Sequence, residues 1–176
     1  MAGEEIRKIH CCMIAADRLR IYMASSERGA LSIGLLLDKG PDSLAYFKRL
    51  FPKDILIEDK RMNASLIEAA GDALSGRPVS DALKLDIRHT PFQIKVWEGI
   101  RKIPFGETMT YGEVAAMTGC PGGARAIGQA MARNPLPLIF PCHRVVAVGG
   151  LGGFGAGPEL KEYLLKREKS RLLKNI

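Results

Sequence analysis

Two side chains able to do chemistry together sit next to each other at Cys142 and His143, inside Pro141-Cys142-His143-Arg144-Val145-Val146 and behind the apolar run Leu136-Pro137-Leu138-Ile139-Phe140. A thiol attacks as its thiolate, and a free cysteine with a pKa of ~8.5 is mostly protonated at neutral pH. A neighbouring base or positive charge corrects that, and His143 and Arg144 are candidates for both parts. The pair alone is weak evidence, because a buried cysteine is usually a small hydrophobe. A third group comes from the last helical stretch, Pro158 to about Leu173, where Leu160, Leu164 and Glu168 lie four apart and form one stripe. Glu168 then extends a buried face, while Lys161, Glu162, Lys166, Arg167 and Lys169 take the wetter positions. A carboxylate facing a core needs a partner to offset its desolvation. His143 is the natural one, since a hydrogen bond to Glu168 orients the ring and raises its basicity. If the helix end frays, Glu168 is simply exposed.

The segments before Cys142 read as helices. Thr90-Pro91-Phe92-Gln93 is a capping box with proline in the first turn, and Phe92, Val96, Ile100 and Ile103 follow at helical spacing until Pro104-Phe105-Gly106. Thr110-Tyr111-Gly112-Glu113 repeats the box and starts a short helix carrying Val114, Ala115 and Met117, which stops at Gly119-Cys120-Pro121-Gly122. A second helix, Gly123 to Arg133, turns Ile127, Ala130 and Met131 inward. Such a pair makes a helix-turn-helix candidate. Its second helix carries Arg125, Gln129 and Arg133 on one face and is otherwise nearly all small, with Ala124 and Ala126 beside Gly128, Ala130 and Ala132. A thin helix of this kind can press its backbone close to a groove. An ordinary helical hairpin with a solvated basic face is the alternative.

After Cys142, Gly150, Gly152 and Gly155 fit G-x-G-x-x-G between a strand-like Val145–Val148 and the last helix. No further strand completes a βαβ unit and no acidic residue can sit at its end, so dinucleotide binding is rejected and no cofactor is expected. A flexible loop bordering a pocket is the better account.

The first half reads as scaffold. Strands are expected at Lys8–Ala16, Leu19–Ser25 and Ala30–Leu37, turning at Asp17-Arg18 and at Asp38-Lys39-Gly40-Pro41. A helix from Asp42 to Leu50 with Leu44, Phe47 and Leu50 inward, a short strand at Ile55–Ile57 and a helix from Ala64 to Ser75 follow. The second helix buries Leu66, Ala69, Ala70, Ala73 and Leu74, and Gly76–Ala82 is the linker. Strands followed by helices suggest an α/β or α+β lobe. His10, Cys11, Cys12 and His89 could be assembled into a zinc site, but neighbouring strand residues point to opposite faces, so no metal is expected. Asn63-Ala64-Ser65 is a glycosylation sequon by pattern only.

Over 176 residues, 47% hydrophobic and 26% charged content suit a globular chain with a real core, and the net charge of +7 suggests a polyanionic partner. The four cysteines show no disulfide-framework spacing, no run approaches the ~18 apolar residues of a transmembrane helix, and the N-terminus has no signal-like stretch. The expectation is a reducing intracellular compartment and no membrane association.

The run Asn134–Val146 strongly resembles the active-site signature of O6-alkylguanine-DNA alkyltransferases, also called methylated-DNA–protein-cysteine methyltransferases. So do Tyr111 within T-Y-G-E-V-A, the helix G-A-R-A-I-G-Q-A-M and the closing K-E-Y-L-L-K-R-E, which together cover Thr90 to Glu168 in order. The first eighty or so residues match only in general character. The resemblance implies an α/β (α+β) protein: a small N-terminal ribonuclease H-like α/β lobe over residues 1–80, then a mainly helical C-terminal domain with a winged helix-turn-helix over 88–176. It implies direct-reversal repair of duplex DNA carrying O6-alkylguanine, and of O4-alkylthymine, by a cytoplasmic, nucleoid-associated monomer that flips the nucleotide and is consumed in one turnover. By matching position, Cys142 accepts the alkyl group, His143 is the base acting through a water, Glu168 completes the triad and Asn134 ties down the active-site turn. Tyr111 helps rotate the nucleotide and hydrogen-bonds the departing guanine. Arg125 fills the gap in the duplex from a helix lying in the minor groove, with Ala124, Ala126, Gln129 and Arg133 on the same DNA-facing helix. Pocket contacts fall to Met131, Pro137, Val145, Phe154, Gly155 and Ala156. One departure stands out: the family often has Tyr-Ser-Gly-Gly where this chain has Phe154-Gly155-Ala156-Gly157, so a serine contact to the base is missing. The rival readings from the residues are a cysteine hydrolase with a Cys142-His143-Glu168 triad and a helix-turn-helix regulator that reads sequence.

Overall fold

The computed structural model describes residues 6–174, and by its internal contacts the chain divides into two compact units. The first takes in the chain up to Ala69 together with Ser80–Ile87, and the second Ala70–Val79 together with everything from Arg88 onward. The division falls inside α2 (Ala64–Ser75), whose residues Leu66, Ala69, Ala70, Ala73 and Leu74 are buried.

In the first unit β1 (Lys8–Ala16), β2 (Leu19–Ser26) and β3 (Gly29–Leu37) form an antiparallel meander, and β4 (Ile55–Glu58) joins parallel to β1, giving the order β3-β2-β1-β4. Asp17 and Asp38 make the turns after β1 and β3 with φ of 57° and 60°, a conformation that aspartate tolerates better than most residues. Ile9, Cys11, Tyr22, Ala24, Leu31 and Phe47 build the core. Helix α1 (Ser43–Lys48) is shorter than its apolar spacing suggests. Asp42 caps it by accepting from the Ala45 N–H, and Phe47 is buried, but Leu44 and Leu50 stay 36% and 53% exposed. Leu50 lies beyond the helix end, so its periodicity carries no meaning there. Cys11 and Cys12 are both buried in β1, and burial pushes their thiols up to about 12 and about 11, which leaves them inert. Asn63, the sequon residue, is wholly buried: its amide donates to the carbonyls of His10 and Asp59, and its Oδ1 accepts from Ser25.

The second unit is mainly helical, with α3 (Pro91–Arg101), α4 (Tyr111–Met117), α5 (Ala124–Ala132) and α6 (Pro158–Lys174). The capping boxes of Thr90 with Gln93 and of Thr110 with Glu113 are both formed, and each satisfies otherwise unpaired N–H groups at a helix start. Met117 is 42% exposed, because α4 ends there and only Val114 and Ala115 face inward. Two features have no periodicity to announce them. The two-residue strand β5 (Met109–Thr110) pairs in parallel with β6 (Val145–Val146), and Cys142–Arg144 forms a single 3-10 turn between Pro141 and β6. The β5–β6 ladder holds the start of α4 against the exit from the Cys142 turn. Among the described residues, no helix is long and apolar enough to cross a membrane.

Trp97, the chain's single tryptophan, joins three of these segments. It projects from α3, its indole N–H donates to the Ala130 carbonyl in the last turn of α5 at 2.9 Å, and its ring stacks on Phe140 at 5.7 Å. Trp97→Ala should lower unfolding free energy by about 3–5 kcal/mol through the cavity left behind. Trp97→Phe keeps an aromatic ring and loses one hydrogen bond to a carbonyl that still accepts the Arg133 N–H at 3.2 Å, and should cost about 0.5–1.5 kcal/mol. Urea unfolding of the two variants checks the order; equal losses would mean that ring volume is not what holds these segments together.

Candidate active site

Cys142 is positioned by a side chain acting as a backbone strut. Asn134, just past α5, donates from Nδ2 to the Phe140 carbonyl at 2.8 Å and accepts the Leu136 N–H on Oδ1 at 3.0 Å. This closes the loop between them, in which Leu138 takes the left-handed conformation with φ 81°. The Phe140 carbonyl also accepts the Cys142 N–H at 2.7 Å. The Cys142 thiol is only 8% exposed. Burial pushes its pKa up, while the Asn134 amide and the Lys161 charge oppose the rise, so in the resting protein the group is a neutral thiol.

His143 and Glu168 meet as the stripe on α6 suggests: Nε2 and Oε1 lie 2.6 Å apart, with the residues 1% and 5% exposed. The carboxylate has further donors. Arg144 reaches it from Nε and Nη2 at 3.1–3.2 Å, and the Gly106 N–H donates to Oε2 at 2.7 Å. Burial alone would raise the Glu168 pKa, but the His143 and Arg144 hydrogen bonds and charges prevail and hold it below the ordinary carboxylate range. Arg144 also donates to the Ile103 carbonyl at 2.8 Å and lies over the Phe105 ring. Burial pushes His143 the other way, below its usual pKa, and the Glu168 contact only partly offsets this. The ring is therefore neutral near pH 7, and Nδ1 has no hydrogen-bond partner.

Tyr111, the first residue of α4, has its ring edge over Gly152 and its hydroxyl donating to the Gly153 carbonyl at 3.2 Å. A Cβ on Gly152 would come within 2.9 Å of the Tyr111 ring, and φ is +70° there, so both space and backbone require glycine. Burial, with the nearby Cys142, raises the Tyr111 pKa and keeps the phenol a hydrogen-bond donor. On the other side Lys161, wholly buried, donates to the carbonyls of Val145 and Gly153 and stands 5.9 Å from the centre of the Tyr111 ring. Its expected wet position is thus corrected: 161, 164, 165 and 168 make one inward stripe on α6, two residues wider than the Leu160-Leu164-Glu168 line. That i, i+3, i+4, i+7 spacing is visible in the sequence, but the lysine in it masks the signal.

The remaining named residues fall around this centre. Arg125, Gln129 and Arg133 are exposed with Ala124, and Ala126 is half-buried; Arg133 caps the end of α5. Met131, Pro137 and Phe154 are half-buried, Val145 is buried, and Gly155 and Ala156 are exposed. One contributor has a different partner from the one its sequence position suggests, and another has no signal in the sequence. Arg144 spends its charge on Glu168 rather than on the thiol, and the Gly106 backbone, in the bend after α3, has no sequence signature as a donor.

The family described as 6-O-methylguanine DNA methyltransferase, DNA binding domain, matches residues 91–170. A protein of Methanosarcina barkeri named methylated-DNA–protein-cysteine methyltransferase is 38% identical over 154 residues, 86% of this chain and 92% of that one. The protein of the same name from Mycobacterium tuberculosis is 50% identical over 90 residues, and the match spans 54% of its length. Among solved structures, that of Mycobacterium tuberculosis OGT in complex with DNA superposes with a TM-score of 0.72 at 31% identity, covering 92% of this chain and 94% of that one.

The buried pair dictates how stability responds to acid. His143 binds its proton less readily folded than unfolded, so below the unfolded value of ~6.5 the unfolded chain takes up a proton that the folded chain refuses, and stability falls. Glu168, held low, adds a second loss as pH falls below ~4.3 towards its folded value. The urea midpoint should therefore drop between pH 7.5 and 5.5, and His143→Asn should flatten that drop. An equal decline in wild type and variant would place the acid sensitivity elsewhere.

Proposed function

The chain belongs to the methylated-DNA–protein-cysteine methyltransferase family, and from that premise we propose that it repairs DNA by moving an alkyl group from O6 of guanine, and also from O4 of thymine, onto the Cys142 sulfur. The observation that carries this reading is the buried thiol beside an imidazole whose Nε2 is locked by Glu168 at 2.6 Å. With Nε2 engaged, Nδ1 is the nitrogen left to take the thiol proton, through a water. His143 is neutral for this purpose because burial keeps it so. The thiolate then attacks the alkyl carbon opposite O6. The S–C bond forms as the C–O6 bond breaks, the electrons return to the guanine, and a ring nitrogen takes up the proton. Tyr111 stays protonated and can donate to the departing base. The thioether product has no good leaving group, and no neighbouring group here offers a way to hydrolyse it, so each molecule reacts once.

The alkyl carbon cannot be reached inside a stacked duplex, so the nucleotide must be flipped out at a cost of a few kcal/mol. Arg125 fits the part of the side chain that fills the gap: it is exposed near the start of α5, between Ala124 and the half-buried Ala126. Those small neighbours, with Gln129 and Arg133 exposed further along, suit a helix pressed into the minor groove. The net charge of +7 agrees with a phosphate-lined partner. In the loop, the backbone amides around Phe154, Gly155 and Ala156 take over from the absent serine in holding the lesion's oxygen, alongside pocket contacts from Met131, Pro137 and Val145.

Mixing the protein with duplex DNA containing O6-methylguanine should add about 14 Da to the peptide that holds Cys142, in stoichiometric amount. Cys142→Ser should abolish the adduct while duplex binding persists. An unmodified peptide with the lesion intact would sink the proposal, and repeated turnover on acyl esters would point to the hydrolase instead. Arg125→Ala should slow transfer from duplex by about tenfold or more while leaving attack on free O6-benzylguanine near the wild-type rate. Equal loss on both substrates would remove Arg125 from that role.

A further inference from the structure

The bend after α3, Ile103-Pro104-Phe105-Gly106, touches the buried Arg144–Glu168 pair in three places. The Ile103 carbonyl accepts from Arg144 Nη1 at 2.8 Å, and the Gly106 N–H donates to Glu168 Oε2 at 2.7 Å. The Phe105 ring lies under the guanidinium, with its centre 5.5 Å from Arg144 Cζ. The first two are backbone contacts that many residue types could supply. The third depends on a side chain that is only half-buried and that the proposed chemistry does not use. The ring is also held where it is. Gly76 ends α2 with φ +74°, and a Cβ there would come 3.0 Å from the Phe105 ring, so bare backbone packs against it.

A guanidinium that forks onto a carboxylate uses its edges and leaves its two flat faces to be covered. Arg144 is 8% exposed, so one face has an electron-rich ring where a surface arginine has water. That contact selects the orientation of the plane in which Nε and Nη2 both reach Glu168 while Nη1 reaches Ile103. Glu168, held in this way, presents Oε1 to His143 Nε2. Burial is the main cause of the low His143 pKa, and the Arg144 charge adds to it against Glu168. We propose that Phe105 is a positioning residue for His143: its ring fixes the plane of Arg144, and Arg144 in turn sets the carboxylate that orients the imidazole. The inference rests on His143 being the base, but its first readout is the imidazole itself, which titrates whether or not an alkyl group is transferred.

The groups facing His143 that can titrate or carry charge are Glu168 and Lys161 from α6, with Arg144 and the Cys142 thiol from its own turn; the variants keep all of them. The His143 titration is followed by NMR on the ring Cε1–H, assigned by its loss in His143→Asn. It is measured in wild type, Phe105→Leu and Phe105→Tyr, with melting curves as a check on folding. Phe105→Leu stays apolar but has no ring face, so the guanidinium is freed and the His143 midpoint should rise by about half a pH unit or more. The acid limb of transfer from free O6-benzylguanine should move up with it, while the rate near about pH 8.5 stays within about twofold of wild type. Phe105→Tyr retains the face and should match wild type in both measurements. A midpoint in Phe105→Leu equal to wild type, or an equal rise in both variants, overturns the proposal and leaves the ring as packing. A raised midpoint with an unmoved acid limb supports the positioning role and removes His143 as the base, so the two readings fail separately. If Phe105→Leu does not fold, wild type decides: the Arg144 guanidinium protons should show nuclear Overhauser contacts to the Phe105 ring, and their absence overturns the proposal on its own.

Discussion

The carboxylate of Glu168 is the constraint on which the second unit depends. One buried anion near the end of α6 is held at once by an imidazole and a guanidinium from the 3-10 turn and by a backbone N–H from the bend after α3. Removing any of these donors would leave a buried charge short of partners, which is far more costly than losing a surface ion pair. The three segments are therefore tied to one another by electrostatics where apolar packing alone would let them slide. The same tie fixes the tautomer of His143: with Nε2 facing a carboxylate, the basic nitrogen must be Nδ1.

A second, independent tie sets where the thiol sits. Asn134 satisfies one donor and one acceptor of the backbone on either side of a strained Leu138, and Trp97 presses on the same Phe140 whose carbonyl Asn134 holds. Trp97 also grips the last turn of α5 through Ala130. The face of α5 that carries Arg125 and the turn that carries Cys142 are thus fixed to a common core, so whatever α5 lies against is registered to the thiol by rigid packing. A helix of small residues is suited to this, since its position is set by backbone contacts rather than by long, mobile side chains.

How much of this was legible follows from which physical signals are local. The capping boxes at Thr90 and Thr110 and the buried stripe of α2 are short-range patterns, and each is formed as the residues suggest. Glu168 was legible because a carboxylate broke an otherwise apolar line. Lys161 sits in the same stripe but reads as a solvated residue, because lysine is rarely fully buried and its partners are backbone carbonyls that no sequence pattern names. The β5–β6 ladder and the Gly106 donor were equally silent: two-residue strands have no period, and a backbone N–H has no residue type. Leu50 fails for the opposite reason, since the apolar spacing runs on past Lys48, where α1 ends.

These placements give the pocket a charge inventory with a direction. Glu168 and Arg144 cancel each other, His143 is neutral, and Cys142 rests as a thiol, so the one charge without an anionic partner is that of Lys161. The resting site therefore carries an excess positive charge that a thiolate would balance. Deprotonation is then favoured by the surroundings while desolvation opposes it, which keeps the thiol quiet until a base to receive its proton and a carbon to attack are both in place. In the proposed reaction, methylation of the sulfur ends that balance for good. The thioether cannot carry a negative charge, so Lys161 is left with two carbonyls and an aromatic face, and the arrangement that favours the first transfer has nothing to offer a second.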